Sequence, residues 1–209
     1  MTELAPVVFV VDDDEHVRTA LARLIRIAGY RVETFDSAEA FIERVGLKGG
    51  PACLLLDLQL PGLSGLALQR QLGEWLPVIF MSGHGDMNSA IDAMKGGATD
   101  FLSKPVSDNV LLDALERALE RARRMFEWRA ELADIQSRVN QLTPREHEVM
   151  ALVVAGYLNK QVASELGAAE KTIKIHRARV MEKMKAGSLA ELVRLAGKAS
   201  SASETHARQ

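Results

Sequence analysis

Short apolar runs and helix-length amphipathic segments alternate through the first half of the chain. Val7-Val8-Phe9-Val10-Val11 is a β-branched and aromatic run, the pattern of a strand buried on both faces. Glu15 to Ala28 follows with helical spacing and stops at Gly29. Arg31 to Thr34 alternates like a strand, and Ser37 is placed to cap a helix reaching Val45. Cys53 to Leu56, Pro77 to Met81 and the brief Asp100-Phe101-Leu102 complete the predicted strands. Helices over Ser64 to Gly73 and Asp86 to Lys95 fall between them, the second closed by Gly96-Gly97. This alternation predicts an α/β doubly wound five-stranded parallel sheet with helices on both faces.

From about Ser107 the pattern changes. Neither Gly nor Pro interrupts 106–142, so one long helix is predicted to leave the sheet domain and continue as a linker. Along it Met125, Trp128, Leu132, Ile135, Val139 and Leu142 recur at spacings of three and four. Two readings of this stripe stand side by side: a short parallel coiled coil, or a face that packs on one of the chain's own domains.

Past Leu142 only four short helical patterns remain, which predicts a second, all-α four-helix domain. Thr143-Pro144-Arg145-Glu146 is a capping box with Pro at the first helical position. That helix ends at Gly156, the next spans Asn159 to Leu166, a third runs from Glu170 to Met184, and Ser188 caps a fourth. The tail over 200–209, rich in Ser, is predicted to be disordered. The domain limits that follow are 1–124, a linker over 125–141, and 142–199.

Net charge becomes informative only when divided along the chain. Residues 1–124 hold 13 Lys/Arg against 18 Asp/Glu, the linker is close to neutral, and residues 140–209 hold 11 against 7. An acidic front and a basic rear point to an anionic partner for the rear. No apolar run is long enough to span a membrane, and no basic segment followed by a long apolar stretch suggests a secretory signal. A single cysteine, Cys53 in an apolar setting, allows no intrachain disulfide and suits a reducing, cytoplasmic home.

In a doubly wound sheet, ligands bind beyond the carboxyl ends of the strands, where strand order reverses. The residues there are Asp12-Asp13-Asp14 after the first strand, Asp57 after the third, Ser82 after the fourth and Lys104 after the fifth. Taken singly, each has an ordinary structural reading: acids at a helix start, a residue before a Pro-Gly turn, a solvated bend. Together they bring carboxylates, a hydroxyl and an ammonium to one crevice. Like charges so gathered repel, and Mg²⁺, which takes one or two carboxylates plus phosphate oxygens, is the cation that suits them.

Val10-Val11-Asp12-Asp13-Asp14, Leu56-Asp57-Leu58-Gln59-Leu60-Pro61-Gly62, Met81-Ser82-Gly83 and Ser103-Lys104-Pro105 resemble the signature blocks of two-component receiver domains. The resemblance implies a flavodoxin-like receiver in which Asp57 takes a phosphoryl group from a sensor histidine kinase. It implies that Asp13 and Asp57 bind Mg²⁺ directly, that Asp12 does so through water, and that the Gln59 carbonyl is a further ligand. Ser82 and Lys104 would hold phosphoryl oxygens, and Phe101 would occupy the position of an aromatic switch. Ser82 stands where Thr is commoner but keeps the hydroxyl, and His84 is expected to have a loop role rather than to set phosphoryl lifetime.

In the rear half, Glu170 to Met184 as a helix turns Ile173, Val180 and Met184 to one face. Lys171, Lys174, Arg177, Arg179 and Lys183 occupy much of the rest. A basic helix after a short Gly-containing turn suits the major groove of double-stranded DNA. Asn159-Lys160-Gln161-Val162-Ala163 and Thr172-Ile173-Lys174-Ile175-His176-Arg177 resemble the LuxR-type helix-turn-helix domain, and the whole chain resembles the NarL/FixJ class of response regulators. The resemblance implies base contacts from Lys174, Ile175 and Ala178, backbone contacts from Lys160, Thr172 and Arg177, and a homodimer when phosphorylated. Two competing readings are weighed against it. A phosphoaspartate hydrolase would need a second acid two residues after Asp57, where Gln59 stands, so no enzyme is expected. The other is a phosphorylation-independent DNA-binding dimer held by the linker stripe.

Overall fold

A computed structural model describes residues 5–44, 50–83 and 87–206. Val45 and Asp86, the predicted end of one helix and start of another, lie outside the described residues, as does His84. The chain resolves into two compact units, Met1–Glu127 and Trp128–Gln209.

The first unit holds β1 (Val7–Val11), α1 (Glu15–Ile27), β2 (Arg31–Phe35), α2 (Ala38–Arg44), β3 (Ala52–Asp57), α3 (Gly65–Leu72), β4 (Val78–Ser82), α4 (Met87–Lys95), β5 (Asp100–Ser103) and the first part of α5 (Asp108–Val139). The strands form one parallel sheet in the order β2-β1-β3-β4-β5. Strand alternation splits the apolar residues between two cores. Val8, Val10, Cys53, Leu55, Ile79 and Met81 meet Leu21 and Ile25 of α1 and Leu111, Leu115 and Ala118 of α5. Phe9, Val11, Leu54, Leu56 and Phe80 meet Phe41 of α2, Leu68 of α3 and Ala93 of α4. Phe41 stacks edge-on with Phe9 and Phe35 at 5.5 and 5.4 Å between ring centroids. Burial on both faces is why these strands read as unbroken apolar runs.

The second unit contains the end of α5, then α6 (Pro144–Val154), α7 (Asn159–Glu165), α8 (Glu170–Lys183) and α9 (Leu189–His206). The capping box of α6 is present: the Thr143 hydroxyl accepts from the Glu146 N–H at 3.3 Å and Glu146 Oε2 accepts from the Thr143 N–H at 2.8 Å. Ile173, Val180 and Met184 of α8 are buried with Val149, Val153, Val162 and Leu192.

The structure decides between the two readings of the linker stripe, and two sequence expectations need correcting. Ile135 and Leu142 lie inside the second core and Val139 packs against it, so half of the linker stripe is consumed within its own domain and is not available as a dimer seam. The tail expected to lose order from residue 200 continues α9 to His206. After Gly197 nothing breaks the helix, Ala favours it, and the Ser200 hydroxyl donates to the Ala196 carbonyl one turn back at 3.1 Å. Lys183, placed by pattern on the solvated basic face, is half-buried in an ion pair with Glu146.

Candidate functional site

Four of the five strands, β1, β3, β4 and β5, deliver the functional groups to the same rim. Asp12 follows β1 and is fully buried, its N–H donating to the Phe35 carbonyl at 3.2 Å and its Oδ1 accepting the Asp14 N–H at 3.0 Å. Asp14 is spent as the N-cap of α1, accepting the His16 and Val17 N–H groups at 2.8 and 3.3 Å, which lowers its pKa. That leaves Asp12 and Asp13 for the crevice. Asp57 closes β3, almost fully buried, and its Oδ1 accepts the Gln59 N–H at 3.0 Å. Lys104, just past β5, donates from Nζ to Asp12 Oδ2 and to Asp57 Oδ2, both at 2.6 Å, while its N–H holds the Ser82 carbonyl at 2.7 Å. Ser82 is buried at the end of β4, opposite Ser103. Phe101 lies half-buried on β5, its ring 6.4 Å from that of Phe80. Gly65 opens α3 against this site: a Cβ there would stand 2.5 Å from the Asp57 carbonyl oxygen, so only glycine allows so close an approach.

One carboxylate oxygen from each of Asp12, Asp13 and Asp57 lies within 4.8 Å of the others. Burial raises the pKa of Asp12, and the neighbouring Asp57 charge adds to the rise, against hydrogen bonds from Lys104 and the Asp14 N–H. Burial also opposes the charge on Lys104, but its two carboxylate partners outweigh this and raise its pKa. Three carboxylates gather around one ammonium, which leaves this rim short of positive charge. A hard divalent cation supplies that deficit, and the all-oxygen donor set is consistent with Mg²⁺ at a phosphorylation site. Of the residues the strand-end rule singles out, the structure brings Asp12, Asp13, Asp57 and Lys104 together, with Ser82 buried at the end of the neighbouring strand. The rule missed Arg18, whose Nη1 donates to the Asp12 carbonyl at 2.7 Å, and Glu39, which accepts the Leu63 N–H at 2.9 Å. Both come from helix faces that carry no local signal of where they reach.

Residues 8–116 match the family described as the response regulator receiver domain, and residues 140–196 match the bacterial regulatory proteins of the luxR family. The chain is 48% identical over 192 residues to nodulation protein W of Bradyrhizobium diazoefficiens, covering 90% of this chain and 84% of that protein. It is 42% identical over 196 residues to the transcriptional regulatory protein FixJ of the same organism, covering 92% of this chain and 95% of that protein. The solved structure of the response regulator StyR superposes with a TM-score of 0.81 at 43% identity, covering 93% of this chain and 99% of that one.

The chain is a two-component response regulator. As in the relatives named, its architecture is that of a transcription factor rather than a catalyst, and it implies a cognate sensor kinase and a DNA target. Among the described residues, no helix of this response regulator is long and apolar enough to cross a membrane.

Its DNA-binding unit presents Thr172, Lys174, Ile175 and Ala178 of α8 and Lys160 of α7 to solvent. Arg177 is half-buried, its Nη1 donating to Asn159 Oδ1 at 3.1 Å across the α7–α8 turn, and Lys174 pairs with Glu170 at 3.2 Å. The end of α8 is fastened from below. Lys183 Nζ reaches Glu146 Oε2 at 2.6 Å and the Gln141 carbonyl at 3.1 Å, and Arg138 Nη1 holds the Met184 carbonyl at 3.1 Å. The Lys183 hydrogen bond, with the Thr143 N–H, holds the buried Glu146 carboxyl down at about 2. The capping box announced Glu146 in the sequence, but nothing announced that the same oxygen also takes a lysine thirty-seven residues on.

Proposed function

We propose that Asp57 is the phosphoacceptor of this response regulator and that its phosphorylation governs dimerisation and DNA binding by α8. The carrying observation is the Lys104 ammonium bridging Asp12 and Asp57 at 2.6 Å, a positive charge already held at the carboxylate that would react. Asp13 and Asp57 directly, Asp12 through water and the Gln59 carbonyl would hold Mg²⁺, which when bound neutralises charge on the transferred phosphoryl oxygens. An Asp57 carboxylate oxygen forms the new P–O bond as the P–N bond to the kinase imidazole breaks, and that imidazole takes up a proton from water. Lys104 and the Ser82 hydroxyl then bind phosphoryl oxygens, the first as a point charge, and Phe101 repacks on β5. The receiver limits belong near 1–124 and the DNA-binding domain near 142–199, with the helix between them contributing to the second core.

On DNA, Lys174, Ile175 and Ala178 face bases while Lys160, Thr172 and Arg177 meet the phosphate backbone. The phosphorylated form acts as a homodimer on paired half-sites in the cytoplasm. Intact-mass spectrometry after incubation with acetyl phosphate and Mg²⁺ tests the first step: wild-type protein gains one phosphoryl group and Asp57→Asn gains none. A phosphorylated Asp57→Asn protein would refute the assignment.

A further inference from the structure

We propose that Glu39, on the first turn of α2, is a positioning residue for the loop that follows the phosphoacceptor; the inference rests on the reading of Asp57 given above. Residues 58–63 leave the end of β3 and turn into α3. The loop is fixed at its start, where the Leu58 N–H donates to the Met81 carbonyl at 2.9 Å and the Gln59 N–H to Asp57 Oδ1 at 3.0 Å. At its far end the Leu63 N–H donates to Glu39 Oε1 at 2.9 Å, a bond from an element twenty-four residues earlier in the chain. Between them Gly62 turns the chain at φ +79, and a Cβ there would stand 2.8 Å from the same Glu39 oxygen. The carboxylate therefore lies flush against the turn, which needs glycine for its backbone conformation.

The consequence is chemical because the loop carries the Gln59 carbonyl and the amide that orients Asp57. A backbone carbonyl cannot be re-aimed by a rotamer change; it points where the loop points. Glu39 holds that direction by charge-assisted hydrogen bonding from the opposite side of the turn. Ser64 and Gly65 hold the loop from the α3 side, through the Ala67 N–H at 3.3 Å and the close approach to the Asp57 carbonyl. Glu39 is exposed, so its replacement leaves both cores of the unit untouched.

The test uses the full-length chain as wild type, Glu39→Ala, Glu39→Gln and Asp57→Asn. In metal-free protein, hydrogen exchange at the Leu63 amide should rise about tenfold in Glu39→Ala and stay near wild type in Glu39→Gln, whose amide oxygen still accepts. With Mg²⁺ present, calorimetric Mg²⁺ affinity and the rate of labelling by acetyl phosphate should each fall about three- to tenfold in Glu39→Ala and recover in Glu39→Gln. Faster Leu63 exchange with unchanged labelling and Mg²⁺ affinity would overturn the proposal, as would a Glu39→Gln protein as impaired as Glu39→Ala. Label on Asp57→Asn would overturn the Asp57 reading instead, while the metal-free exchange still decides whether Glu39 holds the turn.

Discussion

Asp12 and Glu146 are both buried carboxylates with a lysine 2.6 Å away, yet their acidities move in opposite directions. Burial wins at Asp12, whose pKa is raised, because Lys104 is shared with Asp57 and a further carboxylate stands beside them. At Glu146 the hydrogen bonds win: among the described residues Lys183 pairs with no other carboxylate, the Thr143 N–H also donates, and the group sits at about 2. Each carboxylate has one ammonium and one backbone N–H as donors, so what separates the two sites is the larger cost of burying charge at Asp12 and the sharing of Lys104 with Asp57. The strand-end pocket gathers more carboxylate than ammonium charge, an arrangement suited to a divalent cation. The α6–α8 pair is complete, the state of a fastening that holds the basic helix in place.

The largest expected effect breaks the completed site. Glu146→Ala should lower the stability of the second unit by about 3 kcal/mol in urea unfolding followed by circular dichroism, since it strands Lys183 and the Thr143 N–H together. The pH dependence carries the same sign. With the folded pKa near 2 and the ordinary value at 4.5, the Glu146 contribution is fully present above 4.5 and is lost as pH falls through 2. Glu146→Gln should therefore flatten the acid limb of the stability curve, and an unaltered limb would contradict the pairing.

At the incomplete site, Lys104→Met should destabilise the receiver by about 1–2 kcal/mol without metal, because Asp12 and Asp57 then face each other unrelieved. Mg²⁺ should return more stability to this variant than it adds to wild type; equal gains would mean the ammonium does not substitute for the cation. The smallest effect sharpens the comparison from the complete side. Lys185, just past α8, has φ +52, a conformation that favours glycine, so Lys185→Gly should raise thermal stability by about 0.5–1 kcal/mol with DNA affinity unchanged.

Much of the sheet and most of its rim were legible because each signal was local. A buried strand writes itself as an apolar run, and the groups at its carboxyl end follow in the next one or two residues, as Asp12 follows Val11 and Asp57 follows Leu56. Glu146 was legible as a cap for the same reason. Gln69 was not: it is buried among apolar side chains with its Nε2 on the Ala93 carbonyl at 3.0 Å, under Gly96, where a Cβ would stand 2.8 Å from its Oε1. That polar burial depends on two helices meeting, and neither helix carries the information alone. The linker stripe was legible only as two open readings. Its spacing is common to a coiled-coil seam and a core-facing helix, and only the partners of Ile135 and Val139 decide between them.

Because α5 supplies Leu115 and Leu119 to one core and Ile135 and Val139 to the other, it also sets where the polypeptide tolerates being severed. A fragment starting at Leu142 would discard two apolar plugs and the Arg138 guanidinium, and would also lose Glu131 from its contact with Lys198 at 2.6 Å. Such a piece would expose raw hydrophobic surface and aggregate. A protease or a gene truncation that spares both folds has only the few residues between Ala122 and Trp128 in which to act.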